Sequence, residues 1–234
     1  MTGYVFQSVG TASSNGTGTD FTANMPATFS AGSLLLGVSK ARAITEIFTQ
    51  PAGWTTLLTV NSLVIFAKIA AGSDAAPTIS WDGATHVFCQ IAAFNGDVYT
   101  GGLGSIVAHS STDTGTGVDI PAPALTVTTD NCMVVTAGTH NKTATSNGTT
   151  ITGLPAYSTI ATNTGSGTSF HSAWGYVQQT SAANVTLDFW NTSVPTESLA
   201  RASHTFALRT TPTVVYPIPP GSKQTFVNDI YLQF

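Results

Sequence analysis

Charge is scarce in this chain. Only 8% of its 234 residues are Asp, Glu, Lys or Arg, and the net charge is −4, where an ordinary soluble domain is roughly 25% charged. Seven Lys plus Arg cannot build the cationic stripe on which nucleic-acid affinity rests, so no nucleic-acid partner is expected. No apolar run approaches the roughly 18 to 20 residues that span a bilayer; stretches such as Ser33 to Val38 break early. Membrane insertion is therefore not expected. The opening Met1 to Phe6 lacks a basic segment followed by an apolar one, and the mature protein is expected to start near Met1. Cysteine is equally rare. Cys89 and Cys132 lie inside apolar segments and read as two buried thiols rather than a disulfide. Few Glu, Lys, Gln or Arg are present to cover a helix face, and no sustained i, i+3, i+4, i+7 apolar pattern occurs.

Polarity comes instead from 40 Thr and 22 Ser, and 42% of the residues are apolar, enough for a real core. Thr, Val, Ile and aromatic residues fill the periodic stretches, and Gly, Asn, Asp, Ser and Pro punctuate them at short intervals, which predicts an all-β protein. Val185, Leu187 and Phe189 alternate with Thr186 and Asp188, as in a half-buried strand. Val87 to Phe94 is apolar on both parities and reads as a central strand covered on both sides. Asp82-Gly83 and Asn147-Gly148 are the strongest turn signals.

The two halves resemble each other. Leu34 to Val38 matches Met133 to Ala137, Pro51-Ala52-Gly53-Trp54-Thr55 matches Leu154-Pro155-Ala156-Tyr157-Ser158, Phe66 to Ile69 matches Trp174 to Val177, and Ala76 to Trp81 matches Asn184 to Phe189. Gln90 to Phe94 then stands where Ser203 to Leu208 stands. About four principal strands per half predict a two-sheet jelly-roll β-sandwich built from two pseudo-repeats, over about 30–95 and 125–210. Neither half can bury its apolar face alone and no charged linker divides them, so residues 1–211 read as one sandwich. Residues 212–234 form a Pro-rich spacer, with Pro212, Pro217, Pro219 and Pro220, and a final alternating strand or arm.

Catalytic chemistry finds little foothold. The five histidines, 86, 109, 140, 171 and 204, are 23, 31, 31 and 33 residues apart, and no two have a metal-ligand spacing. His204 shares parity with Phe206 and Leu208 and reads as a satisfied core or rim histidine rather than a ligand. A glycosidase pair would have to come from Asp82, Asp97, Asp113, Asp119 and Asp188, of which the first two suit turns. The run Asp113 to Asp119 carries oxygen ligands of the kind calcium takes but lacks acidic density. No nucleophile elbow or activated thiol is present. No catalytic residue, metal or cofactor is therefore expected. Trp81 and Trp174 read as core residues; Trp190, beside Asn191 at a strand end, is the ring expected to be exposed and hence the candidate for glycan contact.

Gly32 to Leu36, then Pro51-Ala52-Gly53-Trp54-Thr55, then Phe66 to Ala70 and Pro77 to Trp81 together resemble a group of tailed-bacteriophage and prophage β-sandwich virion proteins. The likeness covers about residues 30–95 and is looser in the second half, where Tyr157 stands in place of the Trp. It implies a non-enzymatic structural component of a virion, assembled in the host cytoplasm: a capsid decoration, head fibre or tail appendage whose partners are other virion proteins and copies of itself. The expected assembly surface is the arm, with Tyr216, Phe226, Val227, Ile230, Tyr231, Leu232 and Phe234, because a lone chain would expose these residues. The alternative is a carbohydrate-binding adhesin module using Trp190, Tyr99 and the Asn/Thr-rich loops.

Overall fold

The computed structural model describes residues 3–15, 20–42, 46–83, 86–96, 99–141, 151–152, 156–163, 170–186, 188–192, 199–210, 224–227 and 230–233. They are all-β, apart from one 3-10 turn at Leu103–Ser105. The first half supplies β1 (Val5–Val9), β2 (Ser13–Asn15), β3 (Asp20–Thr22), β4 (Leu34–Ala41), β5 (Ile47–Thr49), β6 (Thr55–Val60), β7 (Leu63–Ile69), β8 (Thr78–Asp82) and β9 (Val87–Asn95). The second supplies β10 (Val107–Gly117), β11 (Ile120–Ala122), β12 (Leu125–Val127), β13 (Cys132–Asn141), β14 (Ile151–Thr152), β15 (Ser158–Asn163), β16 (Phe170–Gln179), β17 (Ala183–Val185), β18 (Asp188–Thr192) and β19 (Leu199–Arg209). A hairpin of β20 (Gln224–Val227) and β21 (Ile230–Gln233) follows.

Among the described residues each half makes one large antiparallel sheet and, with it, one small sheet in the first half and two in the second. The first large sheet runs β1-β9-β4-β7-β6, with β2 also on β9, and the second β10-β19-β13-β16-β15. The small sheets run β3-β8-β5 and β11-β18-β14, and β12 pairs with β17. The two halves thus follow the same strand order. Short strands such as β3 and β5 carry each half beyond the four strands expected, because three residues are too few for alternation to read.

Four layers result. The large sheets face each other across a central core of Leu34, Leu36, Val38, Leu63, Ile65 and Phe94 from one half and Met133, Val135, Trp174, Phe206 and Leu208 from the other. The small sheets cover the outer faces. Leu35, Val64, Phe66, Ile79, Trp81 and Ile91 fill the first outer core, and Ile120, Val134, Tyr157, Ala173, Trp190 and Ala207 fill the second. Strand β4 is buried at all eight positions, since a strand covered on both faces needs apolar or satisfied residues at both parities. Each fully buried Leu, Ile or Phe contributes about 1.5–3 kcal/mol. The two thiols are free and buried, Cys89 in one outer core and Cys132 in the other, so the layers keep them apart.

Polar ties join the halves. Trp174 Nε1 donates to Gln90 Oε1 at 3.1 Å, Tyr4 Oη donates to the Arg209 carbonyl at 3.0 Å, and Gln178 Nε2 donates to the Tyr4 carbonyl. Gly83, with φ +76, makes the expected turn but passes the chain from the small sheet to the large one, so Asp82-Gly83 is not a hairpin; Asn147-Gly148 lies outside the described residues. The tight β6–β7 hairpin turns on Asn61 and Ser62, at φ 41 and 56, without a glycine.

Candidate functional site

Five of the residues expected to carry assembly, Phe226, Val227, Ile230, Tyr231 and Leu232, lie in the C-terminal hairpin. Its ladder pairs Gln224 with Gln233, Thr225 with Leu232, Phe226 with Tyr231 and Val227 with Ile230. Among the described residues these two strands pair only with each other. The expected single strand is therefore a two-stranded ribbon, with Phe226 and Tyr231 directly opposite and Val227 opposite Ile230. Tyr216 and Phe234 lie outside the described residues.

Trp190 is not an exposed ring. It is 0% exposed and belongs to the second outer core, which corrects the expectation of a glycan platform there. The ladders explain the miss. Val38 sits between Gln90 and Ile65, and Ala137 between His204 and Trp174, so Ile65, not Phe66, corresponds to Trp174. The match of the halves by sequence slips by one residue here, and in a strand one residue exchanges faces. Phe66 points into an outer core and Trp174 into the central one. Carried on to the small sheets, the same shift sets Trp190 opposite Trp81, each the buried indole of a central small-sheet strand. Trp81 Nε1 donates to Ser39 Oγ at 2.9 Å; Gly138 occupies the corresponding place in the second half, and Trp190 Nε1 is left without a partner. All four tryptophans are buried, and Tyr99 packs on the central core under the Arg209 guanidinium, 5.8 Å from its ring centroid.

The structure assembles a polar cluster that the sequence spacing did not show, at one end of the second large sheet. His140 and His171 are directly opposite across β13 and β16, with ring centroids 6.1 Å apart and planes at 29°. Arg201 is opposite His140 on the other side. The Arg201 Nε donates to Asp113 Oδ1 at 3.2 Å and its Nη1 donates to the Asp119 carbonyl at 3.2 Å. His140 Nε2 donates to the Gly117 carbonyl at 2.5 Å; since a carbonyl only accepts, that nitrogen carries the proton. Burial lowers the His140 pKa, the Gly117 hydrogen bond opposes this and the Arg201 charge adds to it. With Asp113 held by a guanidinium, the Asp113 to Asp119 run presents no open carboxylate cage, and no group of three or more metal-ligating side chains occurs among the described residues.

Two further ionisable groups are buried between the sheets. His204 is 1% exposed on the central-core parity of β19; burial pulls its pKa down to about 4, opposed by the Leu63 backbone, and neither nitrogen has a hydrogen bond of ordinary geometry. The expected core position holds, but the expectation that the ring is satisfied there does not. Lys40, 3% exposed, projects its ammonium into the Asn61-Ser62 turn, donating to the Asn61 carbonyl at 2.9 Å and Ser62 Oγ at 2.7 Å. Burial lowers its pKa to about 8, opposed by the Glu46 charge.

Large apolar side chains on the described surface are few and scattered: Val5, Ile47 and Ile69. Among the described residues no helix is long and apolar enough to cross a membrane. Comparison with family models, with curated proteins and with solved structures gives no match.

Proposed function

We propose that the chain is a duplicated jelly roll that serves as a non-enzymatic structural protein of a bacteriophage virion, a capsid decoration or other particle-surface accessory that assembles through its C-terminal arm. Strand order supports the duplicated fold: β1-β9-β4-β7 with β3-β8-β5, and β10-β19-β13-β16 with β11-β18-β14, follow the interleaved two-sheet order of a jelly roll once in each half. The likeness of residues 30–95 to phage β-sandwich proteins supports the setting.

The observation that carries the assembly role is the hairpin of β20 and β21. An isolated two-stranded ribbon is marginal in water, yet this one follows a four-proline spacer and carries Phe226, Val227, Ile230, Tyr231 and Leu232. Docking on a sheet edge or apolar surface of a neighbour satisfies both its backbone and its composition. The chain truncated after Thr211 is expected to keep its thermal midpoint and circular dichroism while losing self-association or particle binding, read as mass in solution and co-sedimentation. Unchanged mass and unchanged binding would overturn the proposal. The glycan-binding alternative loses its main support with the burial of Trp190.

A further inference from the structure

The two halves share a strand order but not their titratable groups. Matching the ladders places His140 where the first half has Ala41, and His204 where it has Gln90. His171 falls where the first half has Ser62, whose carbonyl accepts from Ala41 N as the ladder runs out. All three histidines are buried, at 5%, 1% and 1% exposure, and all three lie in adjacent strands of one sheet. Nothing in such a core requires histidine at these positions, since the first half has Ala41, Ser62 and Gln90 there, none of which titrates; its own histidine, His86, lies just before β9 begins, where its carbonyl accepts from Arg42 N.

We propose that the second half is an acid-operated latch: proton uptake by His140, His171 and His204 opens the far end of its large sheet while the first half stays closed. The chemistry is proton transfer from solvent. His140 already carries its Nε2 proton, so the next goes to Nδ1 and makes an imidazolium beside Arg201 and stacked on His171. A proton on His171 sets two cations face to face next to a guanidinium, with Asp113 and Asp119 as the acidic groups on that side, and Asp188 near Tyr157 on the small-sheet side. A proton on His204 lies among Ala137, Trp174 and Phe206, and the buried charged side chain of the opposing large sheet is Lys40, of like sign. The elements that part are the ends of β10, β13 and β19, where Gly117, His140 and Arg201 are tied together. In the first half the Lys68–Asp74 ion pair stays intact until carboxylates protonate, well below the histidine range.

Hydrogen exchange of the full chain, corrected for the pH dependence of the intrinsic rate, tests this at pH 7.5 and 5.0. Peptides from β13, β16 and β19 are expected to lose protection by about thirty-fold or more, the share of His204 alone, while peptides from β4, β7 and β9 keep theirs. The variant His140→Ala, His171→Ser, His204→Gln, which borrows the first half's residues, is expected to show no such loss. Equal loss in both halves, no loss in the second, or an unaltered response of the variant overturns the proposal. Histidine NMR titration of the unsubstituted chain gives a second reading that does not depend on the variant folding: assigned His140 and His204 imidazoles titrating at or above pH 6.5 overturn it as well.

Discussion

At His204 the cost of burial translates directly into a pH dependence. Its pKa is about 4 in the fold against about 6.5 in an unfolded chain. Above pH 6.5 the ring is neutral in both states and its contribution is intact; as pH falls from 6.5 through 4 only the unfolded chain takes up the proton, and stability drops by about 3 kcal/mol. Urea midpoints at pH 7.5, 5.5 and 4 should show this fall, and His204→Gln should flatten it. Lys40 works in the alkaline range. Between pH 8 and about 10.4 the folded amine is neutral while the unfolded one holds its proton, so this residue adds stability as pH rises. Cys89 and Tyr4, whose pKa values burial raises, act in the opposite direction above about pH 9. The difference between the unsubstituted chain and Lys40→Met therefore isolates the lysine, and it should grow by up to about 3 kcal/mol across that window. Trp190→Ala is expected to cost about 3–5 kcal/mol in chemical denaturation, where an exposed ring would move stability by no more than about 0.5 kcal/mol.

Between neighbouring strands the halves solve one packing problem in opposite ways. Gly37 of β4 faces Phe66 of β7, and a Cβ on Gly37 would lie 2.3 Å from the phenyl Cζ. The matching pair in the second half is Thr136 opposite Gly175, where a Cβ on Gly175 would lie 3.0 Å from Trp190 Cη2. One partner must be small so that a large aromatic can lie across the outer face, and which strand supplies it is free. Gly37→Ala alone is expected to cost about 1–3 kcal/mol. Gly37→Thr with Phe66→Gly, which copies the second half, should cost less than the sum of the two single changes in a double-mutant cycle. Additive costs would show that the two positions do not share their space. The same scale shows why the match of the halves by sequence is not consistent with the ladders: with Leu34 to Val38 set against Met133 to Ala137, β7 and β16 fall one residue out. In strands buried on both faces, apolar residues at every position leave no alternation to reveal the slip.

For the molecule as a whole, the central core is the joint between the halves. Residues 1–96 alone would bare Leu34, Leu36, Val38, Leu63, Ile65 and Phe94, a face that monomeric proteins do not leave open. This fragment is expected to self-associate, pairing two copies where the native chain pairs two halves, and a monomeric mass by light scattering would count against so strong a dependence. The described exterior is the reverse, with Val5, Ile47 and Ile69 as isolated large apolar residues.

Composition and punctuation were enough to establish an all-β chain, two buried thiols and a core place for Trp81, Trp174 and His204, because each rests on short-range periodicity or on amounts of apolar and charged residues. The pairing of His140 with His171 and Arg201, the interior place of Trp190, and the cover of each large sheet by a small one came only with the fold. These depend on strand register and on which sheet lies over which face, and a change of one residue in register, invisible in a doubly buried strand, exchanges inside for outside.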